Sequence, residues 1–248
     1  MTDQRTAIVS GGTRGIGLVL SRRLVRLGYS VVALYRSDVR AADDAVKELG
    51  PAFRAVRTDL ADGDAVTASA AEILSAHGAP AVLVNNAGVN VDRPFLEMTH
   101  EDWHRVIDSN LSGVFHLTRA VAPAMLAADA GAVIVNIGAT TGIRPRVNGA
   151  NYCASKAGLL QLSKCLALEF APKVRVNCLI PGVIGTEEVV ERLGLDDEES
   201  RERVLAEIPQ RRIGDCEDLA DALEFLIGPG SAYMTGQRLI VDGGQFMW

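Results

Sequence analysis

Seven short runs of mostly β-branched and apolar residues recur along the chain, and they constrain its fold more than any other feature. They are "TAIVS" (6–10), "SVVALY" (30–35), "FRAVRTD" (53–59), "AVLVNN" (81–86), "AVIVNIG" (132–138), "VRVNCLIPG" (174–182) and "RLIVDGG" (238–244). The runs read as continuously apolar rather than alternating, as strands of a parallel sheet covered on both faces should. Between them lie amphipathic segments such as "LVLSRRLVRLG" (18–28), which ends at Gly28 as a helix C-cap would. No Pro/Ser-rich linker or low-complexity stretch interrupts the succession. The pattern predicts one doubly wound α/β domain over residues 1–248, built on a parallel seven-stranded sheet flanked by helices. The least regular stretch, about 183–213, carries the acidic run "DDEES" and the pair Arg211–Arg212. It follows a strand's C-terminal end, where open α/β sheets bind ligands, and reads either as a solvated helical excursion or as a substrate lid.

Composition narrows the function. A net charge of −6 argues against nucleic acid, whose phosphates need clustered Lys and Arg. No run approaches the ~18 apolar residues of a membrane span, and the strand at 6–10 leaves no room for a cleaved leader. Cys153, Cys165, Cys178 and Cys216 lack metal-ligand spacing, so no metal is expected. They read as reduced thiols of a cytoplasmic protein.

The first strand runs into "SGGTRGIG", Ser10 to Gly17. Glycine there permits a tight turn and close approach of backbone N–H groups to a pyrophosphate at a helix N-terminus. The spacing is Gly11, Gly15, Gly17 rather than G-x-G-x-x-G, so the strand–turn–helix context carries the assignment. The second strand ends "ALYRS". Arg36 stands there where a carboxylate would favour the ribose 2′-hydroxyl of NAD, and a guanidinium favours the 2′-phosphate of NADP. Arg14 within the loop points the same way, while Asp38 speaks for NAD. NADP(H) is the expected cofactor and NAD the weaker alternative.

These residues, with four further motifs in order, resemble the short-chain dehydrogenase/reductase family and its Rossmann-type fold. The glycine loop resembles the family's T-G-x-x-x-G-x-G, with Ser10 for Thr. "NNAG" (85–88) follows the fourth strand, and Asn110 lies in "DSNLSG". "NYCASK" supplies Tyr-x-x-x-Lys, and "PGVIGT" (181–186) matches the segment near the nicotinamide. The resemblance implies cofactor contacts from Gly11, Thr13, Arg14, Gly15, Ile16 and Gly17 in the loop, and from Arg36 and Ser37 after the second strand. It further implies contacts from Asp59 and Leu60 (for Asp59 a strand-end cap is the competing reading), Asn86, Ala87 and Gly88, Tyr152 and Lys156, and Pro181, Gly182, Ile184 and Thr186.

Tyr152 and Lys156 stand four apart and share a face of a helix. An ammonium about 4 Å from a phenol attracts its phenolate by roughly 4 kcal/mol at an effective dielectric near 20, so a downward pKa shift of a few units is expected for Tyr152. The resemblance makes Tyr152 the proton donor to a carbonyl oxygen as hydride arrives, and has Lys156 also bind the nicotinamide ribose. It gives Asn110 a part in a water relay; a polar group satisfying helix backbone is the plainer alternative. The family's serine stands thirteen residues before the tyrosine, and here that position is Ala139. Loss of such a donor costs on the order of 10²–10³ in rate. Thr140 and Thr141 follow directly, and a small backbone shift would bring one hydroxyl inward. The site reads as rearranged or weakened, not as a relic.

Within the family the likeness is to 3-oxoacyl-acyl-carrier-protein reductases, through "RGIG", "NNAG", "NLSGVF", "NYCASKAG" and the C-terminal "DGG". The implied reaction is reduction of a 3-ketoacyl or related β-keto substrate, small or carrier-bound, by NADPH. Against an acidic carrier protein, the stretch "AADAGA" (127–132) has no Lys or Arg. Arg144 and Arg146, before Tyr152, are either anion contacts or solvated loop residues. The rival readings are a non-catalytic NADP(H)-binding sensor or scaffold and an alcohol or sugar dehydrogenase running oxidatively. Apolar faces at about 99–126 and 150–171, with "GGQFMW" at the end, predict a homotetramer or homodimer.

Overall fold

The computed structural model describes residues 5–128 and 131–247. Seven strands form one parallel sheet: β1 (Thr6–Ser10), β2 (Ser30–Tyr35), β3 (Phe53–Arg57), β4 (Val82–Asn85), β5 (Ala132–Ile137), β6 (Val174–Pro181) and β7 (Arg238–Val241). Their order across the sheet is β3-β2-β1-β4-β5-β6-β7, all neighbours parallel. The order reverses between β1 and β4, which places the topological switch point beside the glycine loop.

Alternate strand residues feed opposite faces, which is why the runs are apolar throughout. Val9, Val31, Val84 and Val135 pack on one face with Leu20 and Leu24 of α1 (Gly15–Arg26) and with Leu219, Leu223 and Leu226 of a C-terminal helix at Cys216–Ile227. Ile8, Val32, Leu83, Ile134 and Val176 pack on the other. Their neighbours there include Val66 and Ile73 from the helix at Gly63–His77, and Leu117, Val121 and Met125 from the helix at Gly113–Ala127. The edge strands depart from the expectation of two covered faces. In β3 only Phe53 is fully buried, and β7 is half-buried at best.

Helix ends follow the sequence signals. Gly28, at φ 85°, follows α1, and Tyr29 N–H reaches back to Leu24 O at 3.0 Å. The helix expected over 99–126 is present, and the chain stays helical from His100 to Ala127. This stretch comprises His100–Ile107, a π-turn at Asp108–Ser112, and Gly113–Ala127. A π-turn inside a helix commonly marks a functional residue, and this one holds Asn110. The helix expected at 150–171 is Ala150–Phe170, in one piece. The 183–213 excursion contains two short helices, Glu187–Leu193 and Glu198–Glu207, seated by buried Leu195 and Ile208. Asp129 and Ala130 of "AADAGA", and Trp248 of the C-terminal motif, lie outside the described residues.

Candidate active site

Strand register levels the residues that build the site. Ser10 pairs across to Leu34 and Asn85, Asn85 to Asn136, and Asn136 to Cys178, so the loops leave the sheet from one edge. Ser10 fastens two of them. Its hydroxyl accepts from Asn86 N and Ala87 N, each at 3.0 Å, while Asn86 Nδ2 donates to Ser10 O at 3.0 Å and Gly11 O at 3.2 Å. The hydroxyl that Ser10 keeps at the family's threonine position is thus what joins the two loops.

The glycine loop has the shape of a phosphate cradle. Gly11 and Gly15 adopt left-handed φ of 63° and 52°, and a Cβ on Gly15 would meet nothing within 4 Å. A Cβ on Gly17 would collide with the carbonyl of Gly11 and with Asn86 Nδ2, so glycine is required there. Arg14 precedes α1 without any side-chain cap, which leaves the first backbone N–H groups available to an anion. The residues present fit a dinucleotide pyrophosphate.

At the adenosine end, Arg14, Arg36 and Ser37 are exposed, and among the described residues no carboxylate pairs with either arginine. Asp38 is occupied: it caps the helix at Val39–Leu49 and accepts from Ala41 N at 3.0 Å. Asp59 likewise accepts from Ala61 N at 3.0 Å, the strand-end cap weighed against its adenine role, with buried Leu60 beside it. Arg57, which sequence reading missed, lies opposite Tyr35 and donates from Nε to Arg36 O at 3.0 Å. Its only sequence signal was a basic residue at the end of a strand next to Arg36.

At the catalytic end, Lys156 is buried and donates from Nζ to Ile137 O at 2.8 Å. A Cβ on Gly88 would lie 3.4 Å from Asn110 Oδ1 and 3.8 Å from Lys156 Nζ, so "NNAG", Asn110 and Lys156 converge. The Asn110 amide is spent on protein partners: Oδ1 accepts from Val89 N at 2.7 Å, and Nδ2 donates to Val89 O at 2.9 Å and Ser155 Oγ at 3.3 Å. It holds the loop after β4 in place. Lys156 Nζ lies 5.7 Å from the Tyr152 ring centroid.

The expected lowering of the Tyr152 pKa is not what the structure gives. Burial dominates and pushes the phenol up to about 12, against the favourable charges of Arg146 and Arg192. Burial also pulls Lys156 down to about 8. The simple pair estimate left out desolvation, which penalises both charged forms. Near neutrality the Tyr152 phenol therefore carries its proton, the form that a donor requires.

Ala139 is buried and extended, and with no hydroxyl it offers no donor. Thr140 beside it is also buried, and Thr141 Oγ1 is buried with no hydrogen-bond partner. Gly142 abuts Lys156, since a Cβ would stand 2.8 Å from that residue's carbonyl carbon. Of the two readings of Arg146, the solvated loop residue does not hold, and the anion it meets is a carboxylate of this chain. Both its terminal nitrogens bond Asp92 at 2.7 Å, and one also bonds Asn90 at 2.8 Å. Arg144 is exposed, with its guanidinium 5.6 Å from the Phe246 ring centroid.

Pro181 and Gly182 end β6 against β7; a Cβ on Gly182 would strike Asp242. Buried Ile184 bridges to Gly214, and Thr186 caps the following helix through Val189 N at 3.4 Å. The charges of Glu188 and Arg192, on that helix at Glu187–Leu193, act on Tyr152. A buried polar chain also escaped sequence reading. Asn85 Nδ2 bonds Asn136 Oδ1 at 2.8 Å and Thr118 Oγ1 at 3.1 Å, and Asn136 Nδ2 donates to Ser163 Oγ at 2.8 Å. It ties β4 and β5 to the helix carrying Tyr152. Among the described residues no group of three His, Cys, Asp or Glu could hold a metal, and no helix is long and apolar enough to cross a membrane.

A parallel sheet with a glycine cradle at its switch point, and a Tyr–Lys pair one loop away, is the arrangement of a Rossmann-type oxidoreductase fold. The profile described as enoyl-(acyl carrier protein) reductase matches residues 11–245, and the chain belongs to the short-chain dehydrogenase/reductase family. It is 36% identical over 251 residues to the 3-oxoacyl-(acyl-carrier-protein) reductase FabG of Staphylococcus aureus, covering 100% of both chains. It is 37% identical over 248 residues to 3beta-hydroxysteroid dehydrogenase 1 of Eggerthella lenta, covering 98% of this chain and 94% of that one. A solved short-chain glucose/ribitol dehydrogenase from Brucella melitensis superposes with a TM-score of 0.90 at 29% identity, over 98% of this chain and 97% of the other.

Proposed function

We propose that the chain reduces a ketone to a secondary alcohol with NADPH, on a 3-ketoacyl or related β-keto substrate, with Tyr152 as proton donor. The observation that carries this is the convergence of Tyr152, Lys156, Asn110 and Gly88 beside an open glycine cradle. The bound dinucleotide would supply the hydride. The chain's own residues do the rest: the 11–17 loop and "NNAG" hold the dinucleotide, Lys156 holds its ribose, and Tyr152 gives its Oη proton to the substrate oxygen. A phenol that keeps its proton near neutrality is in the form that this step needs.

NADPH over NADH is supported by exposed Arg14 and Arg36, with Arg57 beside them, and by Asp38 being held in a helix cap. The substrate class rests on likeness to the Staphylococcus reductase; the absence of Lys and Arg from 127–132 leaves a small-molecule ketone as open as a carrier-bound one. Exposed Phe95, Leu96 and Phe115, near and on the helices at 100–127, suit a homotetramer or homodimer. Light scattering of a monomer at micromolar concentration would refute that part. Four free cysteines suit the cytoplasm.

An oxidative role is favoured by likeness to two enzymes named as dehydrogenases, the hydroxysteroid dehydrogenase at 37% identity and the glucose/ribitol dehydrogenase at 29%. A screen of β-keto esters, ketones, sterols and sugars with NADPH and NADP⁺, followed by nicotinamide absorbance, separates the directions. Cofactor binding without turnover of any substrate would favour the sensor reading that Ala139 keeps open.

A further inference from the structure

Two cations stand near the Tyr152 ring, and only one belongs to the Tyr–Lys pair. The Arg146 guanidinium carbon lies 5.4 Å from the ring centroid and Lys156 Nζ 5.7 Å. Burial leaves Lys156 only partly charged near pH 8. A guanidinium remains charged at every pH the protein will meet.

Arg146 is clamped rather than loose. Asp92 receives it with both carboxylate oxygens, and Asn90 takes a further bond. Its Nε is buried with no partner. The path of the side chain runs over Gly149, where a Cβ would lie 3.0 Å from Nε and 3.1 Å from Cγ. The loops it joins are stitched again on either side: Arg93 N donates to Asn148 O at 2.9 Å, and Asn151 Nδ2 to Val91 O at 3.0 Å. The other charged or titratable groups acting on the phenol are Glu188 and Arg192, which pair with each other at 3.0 Å, and the Cys153 thiol. Among the charges acting on the phenol, that of Arg146 favours phenolate most.

We infer that Arg146 is a positioning residue for proton transfer by Tyr152, held by Asp92 so that its charge stabilises the phenolate in a site whose Ala139 supplies no hydroxyl. This rests on Tyr152 being the proton donor. In the step, the Tyr152 Oη–H bond breaks and the substrate O–H bond forms. Negative charge passes from the substrate oxygen to the phenol, whose ring centroid lies 5.4 Å from the guanidinium carbon, and water later restores the proton.

Two readouts test this in the full chain. In protein labelled with ¹³Cζ-tyrosine, the Tyr152 resonance is assigned by its loss in Tyr152→Phe and titrated to pH 11 without substrate. Arg146→Met is expected to lower the phenolate fraction at pH 11 severalfold, and Arg146→Lys to restore part of it. In alcohol oxidation with NADP⁺, the ionisation governing kcat/KM is expected to move up by about one pH unit in Arg146→Met, with the NADPH dissociation constant unchanged. An unmoved resonance and an unmoved pH profile, even with lowered kcat, would overturn the inference and leave Arg146 as a loop tie. Should Arg146→Met fail to fold, Asp92→Asn takes its place. Freeing the guanidinium of its counter-charge is expected to move the ionisation down, and no movement would sink the idea. The resonance needs no turnover, so a failure of Tyr152 as proton donor, seen as activity kept in Tyr152→Phe, is distinguishable from a failure of Arg146.

Discussion

The two ends of the site are built in opposite ways. At the cofactor end, Gly15 faces open space and Arg14 and Arg36 stand exposed without carboxylate partners among the described residues. At the catalytic end nearly every polar group is committed: Lys156 to Ile137 O, Asn110 to Val89 and Ser155, Arg146 to Asp92 and Asn90. On the proposed function, the open groups are the ones that meet a large anionic ligand and lose little when it leaves. Committed groups hold one phenol in place and tolerate change only where a neighbour can stand in. Substitutions should therefore act on affinity at the first end and on turnover at the second.

The largest expected effect is at the committed end. Tyr152→Phe removes the proton donor and should lower reduction by 10²-fold to 10⁴-fold, the usual worth of general acid catalysis. NADPH affinity should hardly move. Steady-state rates with a fluorescence titration of the cofactor check both, and near-wild-type reduction would break the comparison outright.

Next comes the missing hydroxyl. Ala139→Ser should raise turnover, by as much as ~10²-fold if nothing substitutes for the absent donor. If a threonine already does, the gain is small and a Thr→Val change is the damaging one. Thr140→Val tests the buried neighbour of Ala139, and Thr141→Val the hydroxyl without a partner. Measuring kcat for all three variants shows whether this end has a vacancy or a substitute.

The same contrast explains what the sequence disclosed. The glycine cradle, the strand order's parallel character and the Tyr–Lys spacing depend on local backbone geometry or on i, i+4 placement, and both are legible in a string of residues. Arg57 beside Arg36 depends on the β2–β3 register, and Arg146 on Asp92 spans 54 residues. Nothing local announces either. The Tyr152 pKa was misjudged for the same reason: charge spacing can be read from sequence, whereas desolvation depends on what the fold packs around the ring. The π-turn at Asp108–Ser112 left no signal, because the chain is helical on both sides of it.

At the open end, Arg36→Ala should weaken NADPH by roughly tenfold or somewhat more, the scale of one charge-assisted contact to a phosphate, and leave NADH nearly unchanged. Arg57→Ala should act in the same direction but less. Calorimetric titration with both nucleotides decides it; an equal loss for NADH would mean that the arginines shape the loop instead of reading the 2′-phosphate.

The smallest effect returns to the committed end and needs no ligand. Lys156 has its pKa lowered from 10.5 to about 8 by burial, so between those values the folded chain binds fewer protons there than the unfolded chain. Its contribution to stability is thus present above pH 10.5 and lost as pH falls through 8, so stability should rise with pH across this window. Cys178, raised from 9.0 to about 11, and Tyr152, raised from 10.0 to about 12, work the other way, since their contributions are lost as pH rises through the folded values. The Lys156 effect is therefore cleanest between pH 8 and 9, where it amounts to about 1 kcal/mol. Urea midpoints of the unliganded protein should rise over that interval relative to Lys156→Met. Parallel curves for the two proteins would mean that water reaches Lys156 in solution, and that the catalytic end is as open as the cofactor end.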